Sequence, residues 1–284
     1  MICTDPLRAP GLALRRQRRY TVTRLGISSD CEIIRYQAGR REATTVPVVR
    51  ERQLTLFLNH VELVTLVCSP GGTEELGVGF LVSEGIIQKR ADIRTWTCRE
   101  EEGLLRLETS VPTPQIHSFL RRHMTSCCGK GRAGLYYIND VRQLQAIRTT
   151  AVFPAEQLLR FIRELENGSE TFQTTGGTHG AALADDSGMR YMFEDIGRHN
   201  AVDKVLGKAL LEEIPMESAC LVLTGRVSSE ILIKAVRSQV AFVVSRSAPT
   251  ALAVELADEF GITLAGFARG DRMNIYSHAG RITG

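Results

Sequence analysis

Two adjacent thiols, Cys127 and Cys128, stand first among the residues able to do chemistry, in the stretch Thr125-Ser126-Cys127-Cys128-Gly129-Lys130-Gly131-Arg132. A cysteine acts as a nucleophile through its thiolate, and nearby positive charge or backbone N–H groups lower its pKa. Lys130 and Arg132 supply charge, while Gly129 and Gly131 permit tight turns that aim N–H groups at an anion. The competing reading is a pair of ordinary buried cysteines, since free cysteine is among the most buried residue types. A disulfide between the two is disfavoured, because adjacent Cα atoms stand about 3.8 Å apart, short of the usual disulfide span. No Cys-x-x-Cys and no tetrahedral ligand spacing surrounds them, which argues against a metal.

Two further clusters carry polar groups suited to a ligand. Residues 174–182 place Gly176-Gly177 between threonines, next to His179 and ahead of an expected helix. Such a loop can bring N–H groups to an anion, although it matches neither the Walker nor the dinucleotide glycine pattern. Glu194-Asp195-Ile196-Gly197-Arg198-His199-Asn200-Ala201-Val202-Asp203-Lys204 gathers acids, an arginine and a histidine at a strand-to-helix turn. Clusters of that kind also serve as salt-bridged capping devices.

The elements that must position these residues form a regular run. Strand 189–193 leads to a helix through Val205, Leu206, Ala209 and Leu210. Strand 219–224, helix 228–238 capped by Ser228, strand 240–245, helix 249–260 stopped by Gly261, and strand 262–267 follow. Short apolar strands alternating with amphipathic helices indicate an α/β fold with parallel strands and right-handed crossovers. In such sheets ligands bind beyond the carboxyl ends of the strands. Those ends are Glu194-Asp195, Gly225-Arg226, Ser245-Arg246-Ser247 and Ala268-Arg269-Gly270-Asp271-Arg272. Arginine forks match phosphate oxygens, so four such turns in register predict a site for a ligand with several phosphates.

Before this run the chain reads as a small α+β unit over residues 20–122, with residues 123–284 forming the larger α/β domain. Strands are expected at 31–36, 53–58 and 62–67, with Asn59-His60 turning a hairpin. A helix starts at Thr73 with acids in its first turn. Strands near 93–98 and 103–109 and a helix at 115–123 complete the unit. Helix 154–167 opens with Pro154 and buries Leu158, Leu159, Phe161, Ile162 and Leu165.

The 284 residues suffice for two domains, and seven scattered cysteines argue against a disulfide framework and for a reducing cytoplasm. Residues 1–19 hold five arginines against one aspartate, which leaves residues 20–284 at −1. We read a disordered basic tail and a body not suited to nucleic acid. No apolar run approaches the length of a membrane span.

Together, Gly79-Phe80-Leu81-Val82-Ser83-Glu84-Gly85, Thr178-His179, the run from Glu194 to Lys204, Ser245-Arg246-Ser247-Ala248-Pro249-Thr250 and Gly266-Phe267-Ala268-Arg269 resemble the formate dehydrogenase accessory sulfurtransferase family. The resemblance covers roughly residues 45–280. It implies a homodimeric cytoplasmic sulfur carrier. A cysteine desulfurase loads a persulfide on a loop cysteine, and the sulfur passes to the bis-molybdopterin guanine dinucleotide cofactor of the formate dehydrogenase catalytic subunit. Many members carry Cys-Gly-x-Cys in that loop. Starting the match at Thr125 makes Cys127 the persulfide carrier and Cys128 a resolving or relay thiol, whereas anchoring on Cys-Gly places Cys128 at the second position. Phe267, Ala268, Arg269, Gly270, Asp271 and Arg272 resemble the family's cofactor-binding segment, joined by His179, His199, Arg226 and Arg246 at the neighbouring strand ends. The resemblance also implies a three-layer C-terminal domain, with a parallel or mixed sheet, similar to the cytidine deaminase fold. Zinc deaminases need His-x-Glu and Pro-Cys-x-x-Cys. Here Ala181 takes the glutamate's place and the second motif is missing, so zinc-dependent deamination is not expected. The alternative class is a chaperone that binds the molybdenum cofactor without sulfur transfer.

Overall fold

The computed structural model describes residues 26–113 and 144–284. The basic tail, the expected helix at 115–123, the boundary at 122/123, and the loop with Cys127 and Cys128 lie outside the described residues.

The chain begins with a two-stranded antiparallel ribbon of β1 (Ser28–Gln37) and β2 (Arg40–Val49). Next come β3 (Arg52–Leu58) and β4 (Val61–Cys68), joined by Asn59 and His60 at φ 46° and 67°. Two positive φ values in succession give the turn whose twist matches a hairpin. Helix α1 (Thr73–Ser83) follows, then β5 (Ile93–Arg99) and β6 (Leu104–Thr109). The sheet order is β4-β3-β6-β5, with β6 parallel to β3. Leu54, Leu56 and Leu58 alternate onto one face and bury against Leu76, Leu81 and Leu105.

After 144 the chain forms β7 (Phe153–Pro154), α2 (Ala155–Gly168), α3 (Glu170–Thr175), β8 (His179–Asp185) and β9 (Gly188–Asp195). It continues through α4 (Arg198–Leu211), β10 (Cys220–Leu223), α5 (Ser229–Arg237), β11 (Phe242–Ser245) and α6 (Ala251–Phe260). The last elements are β12 (Thr263–Arg269), β13 (Arg272–Ser277) and β14 (Ile282–Thr283), the last paired with β7. The main sheet runs β13-β12-β11-β10-β8-β9, with β10, β11 and β12 parallel and β8 and β13 antiparallel to their neighbours. The architecture is mixed α/β. The expected caps are present: Ser228 accepts from the Ile231 N–H at 3.5 Å, and Thr250 from Ala253 at 3.3 Å. Helix α6 ends at Gly261 with φ 77°. The expected stripe of α2 is its buried face.

Two expectations need correction. The Gly176-Gly177 loop leads into strand β8, not a helix. Its Ala181, Ala182 and Ala184 favour a helix in isolation, but here they lie fully buried between β9 and β10, where small side chains let covering helices approach. Strand β12 also runs on to Arg269, so the turn near its end is only Gly270-Asp271, followed by the unforeseen β13.

Helix α1 sits between the two sheets and packs against α4. The contact is backbone to backbone. A Cβ at Gly79 would stand 1.7 Å from the Asp203 carbonyl oxygen, and one at Gly207 would stand 1.9 Å from that of Glu75. Beside it Lys234 of α5 donates to both Asp203 carboxylate oxygens at 2.6 Å, and the Ser83 hydroxyl donates to Asp203 as well.

A cationic edge at the strand ends

Because β9, β10, β11 and β12 point the same way, their carboxyl ends share one edge, which the first residues of β8 and β13 also reach. This brings His179, His199, Arg226, Arg246, Arg269, Gly270, Asp271 and Arg272 to one side of the molecule. Phe267 reaches it too, with φ 52° and an exposed ring. Ala268 differs from the expectation: its side chain is fully buried in the core, so only its backbone is left for a ligand.

The acids along this edge, exposed Asp271 apart, are committed to structure. Asp195 is fully buried and pairs with buried Lys204 at 2.7 Å. It also accepts from the N–H groups of Ser69 at 3.0 Å and Gly197 at 2.9 Å, and from Asn200 Nδ2 at 3.0 Å. Glu194 caps α3, accepting from the N–H groups of Thr171 and Phe172 at 2.9 and 2.8 Å and from the Thr178 hydroxyl at 2.7 Å. Glu166 pairs with Arg246. Glu230 receives His199 Nε2 at 3.2 Å, and that imidazole is only 16% exposed. The fold therefore largely encloses His199. Its ring is held by α5.

What remains, Asp271 apart, is positive. Arg198, Arg226, Arg269 and Arg272 form no ion pair among the described residues, and Arg198 Nε is buried without a hydrogen-bond partner there. Arg269 Nε donates to the Arg246 carbonyl at 3.1 Å, which fixes its direction across the strand ends. Burial, with Arg198, His199 and Arg226 nearby, holds His179 below the usual imidazole pKa. Burial likewise lowers His199, against the pull of Glu230. Both imidazoles are neutral near pH 7, poised to gain a proton if an anion arrives. Arg198 and Glu230 were not singled out from the sequence. Arg198 lay inside the charged run, but which of its members lacked a partner depends on residues far away in the chain.

The described cysteines are poor nucleophiles. Burial, reinforced by Asp195, pushes Cys68 up to about 11, and burial alone raises the fully enclosed Cys220. Cys98 is raised by burial and by Glu74 and Glu100. Cys31 is buried. Thiolate chemistry needs the opposite environment.

Among the described residues no helix is long and apolar enough to cross a membrane. The FdhD/NarQ family model matches residues 49–283. A "Sulfur carrier protein FdhD" from Bacillus pumilus (strain SAFR-032) is 42% identical over 252 residues, covering 88% of this chain and 96% of that protein. One from Bacillus subtilis (strain 168) is 40% identical over 252 residues, covering 88% and 96%. A crystal structure of a formate dehydrogenase accessory protein from Desulfotalea psychrophila superposes with a TM-score of 0.75 at 26% identity, covering 91% of this chain and all of that one. With a family match across most of its length and relatives at this identity, the chain belongs to the FdhD/NarQ family.

Proposed function

We propose that this protein is a sulfur carrier serving formate dehydrogenase. It accepts sulfur from a cysteine desulfurase as a persulfide on Cys127, with Cys128 as relay. It then hands that sulfur to the bis-molybdopterin guanine dinucleotide cofactor, bound as cargo before delivery to the catalytic subunit. The observation that carries the reading is the cationic edge, where Arg198, Arg226, Arg269 and Arg272 form no ion pair among the described residues while Asp195, Glu194, Glu166 and Glu230 are committed elsewhere. Such an edge suits the phosphates of a guanine dinucleotide, because arginine gives two parallel hydrogen bonds to phosphate oxygens. The raised pKa values of Cys68, Cys98 and Cys220 disfavour these three as carriers. The family implies a homodimer working in the cytoplasm, and its likeness to the cytidine deaminase fold fits a sheet that binds its ligand at one edge.

Intact-mass spectrometry after incubation with a cysteine desulfurase and cysteine tests the sulfur step. The wild-type chain is expected to gain one sulfur atom and Cys127→Ala to gain none. An adduct confined to Cys128 would reverse the assigned order. No adduct on any cysteine would favour a chaperone that binds the cofactor without carrying sulfur.

A further inference from the structure

Helices α4 and α5 start at the cationic edge and run back to the opposite edge of the main sheet, where β10 and β11 begin. At that far edge a hollow of about 300 Å³ opens between the loop after α1, the loop after α4 and the end of α5. Leu206, Leu210, Ile214 and Met216 supply apolar wall. Leu210 packs against the N-terminal core, and Ile214 and Met216 against the C-terminal one, so the hollow sits at the joint of the two. Lys89 from the first unit and Glu213 and Glu217 from the second stand exposed at it, and none of the three forms an ion pair among the described residues. Apolar wall within a rim of unpaired charge is the anatomy of a protein interface.

The chain around Cys127 and Cys128 is fixed to both walls of this hollow. The described residues stop at Thr113 and resume at Leu144. Near the first end, the Ser110 N–H donates to the Asp92 carbonyl at 2.8 Å, and the Asp92 carboxylate accepts from the N–H groups of Gln88 and Lys89 at 2.9 and 3.1 Å. At the second end, Gln239 Nε2 donates to the Gln145 carbonyl at 3.4 Å. Gln88, Lys89 and Gln239 all line the hollow. Glu217 also lines a neighbouring hollow along residues 148–151, just past Gln145. We propose that this far edge is the docking surface for the sulfur donor, a protein bearing a cysteine persulfide. The donor seats an apolar side chain against Met216 and Leu210, with a base toward Glu213 and Glu217 and an acid toward Lys89. This rests on the reading that the chain is a sulfur carrier fed by a cysteine desulfurase, and it names the surface that reading needs. In the transfer the carrier thiolate attacks the donor's terminal sulfur, so one S–S bond forms, another breaks, and the donor cysteine leaves as its thiolate. A donor held where both ends of the thiol-bearing stretch are fixed keeps its persulfide close to those thiols and leaves the cationic edge clear for the cofactor.

The test compares two sulfur sources on the full chain, a cysteine desulfurase with cysteine and inorganic polysulfide, with persulfide followed by intact mass over time. Polysulfide gives its terminal sulfur to a thiolate and leaves one atom shorter, so it needs no docking surface. Met216→Glu, and Glu213→Lys combined with Glu217→Lys, should each slow loading by limiting desulfurase about tenfold, as expected for an interface contact replaced or reversed. Loading by polysulfide should match wild type, and saturating desulfurase should restore the rate. The charge reversal lies at exposed positions, so it keeps the test alive if Met216→Glu melts early. Variants that load from limiting desulfurase at the wild-type rate would remove the donor from this surface while leaving the carrier reading intact. Variants slowed equally with polysulfide would assign the hollow to the chain's own thiol-bearing stretch and overturn the proposal. So would a fall in assembly mass by light scattering, which would give the surface to a second copy. A wild-type chain that takes no sulfur from the desulfurase would sink the carrier reading, and this proposal with it.

Discussion

Phe267 has φ 52°, a left-handed conformation, at a bulge between β12 and β13, with the residue 41% exposed. For a bulky residue that backbone costs about 1–3 kcal/mol. The Phe267 N–H donates to the Ser247 carbonyl at 3.0 Å, which ties the strained position to the end of β11. An exposed aromatic ring held under strain beside Arg269 returns little to stability through burial. It does present a face on which a flat base can stack. Phe267→Gly separates the two roles. Glycine relieves the positive φ at the cost of extra freedom in the unfolded chain, about 1 kcal/mol. The variant is therefore expected to melt at or above the wild-type temperature while its affinity for GDP falls. Calorimetry and thermal melting on the same sample check this. A variant that melts much earlier with unchanged GDP affinity would make Phe267 a structural residue.

At the scale of elements, the fold depends on how α1 meets α4. Gly79 and Gly207 let two helix backbones touch, and Asp203, Lys234 and Ser83 fill the adjoining space with a hydrogen-bonded buried group. Gly79→Ala would drive a methyl into the Asp203 carbonyl, so α1 must move, at an expected cost of about 1–3 kcal/mol or more. Lys204→Met leaves the Asp195 carboxylate buried without its cation, with an expected loss of about 3–5 kcal/mol. Urea unfolding checks both, and a midpoint unchanged in either would show that the contact carries no stability. These residues also explain what the sequence could and could not tell. Strands, crossover helices and caps in the C-terminal half were legible because apolar runs, Ser228, Thr250 and Gly261 act over a few neighbouring residues. The stretches 79–85 and 194–204 stood out just as clearly, yet most of their polar groups form the joint between sheets. Asp195 accepts from Ser69, Asp203 binds Lys234, and His199 meets Glu230, all partners distant in the chain. Charge clustering is visible in a sequence. Which charge is left unpaired is decided by tertiary contacts.

Across the whole molecule, the cationic edge links protonation to stability and, under the proposed function, to ligand binding. His179 faces Arg198 and His199 on α4, Arg226 beyond β10, and Asp195 at the end of β9. His199 faces Glu230 and Lys234 on α5 and Arg198 on its own helix. Burial is the largest influence on each, and it holds both imidazoles below their ordinary value near about 6.5. A group whose folded pKa is depressed takes its proton first in the unfolded chain as the pH falls. The stability these neutral histidines contribute is thus fully present above about pH 6.5 and declines below it. His179→Asn should flatten that decline, seen as a smaller drop in urea midpoint between about pH 7.5 and pH 5. An anion on the edge acts with the opposite sign, since it favours the protonated imidazole. Sulfate, which stays divalent throughout this range, should therefore stabilise the wild-type chain more at the acid end than at the neutral end. General salting-out affects wild type and His179→Asn alike, so the difference between them isolates the site. Equal sulfate stabilisation of the two proteins at both ends of the range would show that His179 does not sense anions at this edge.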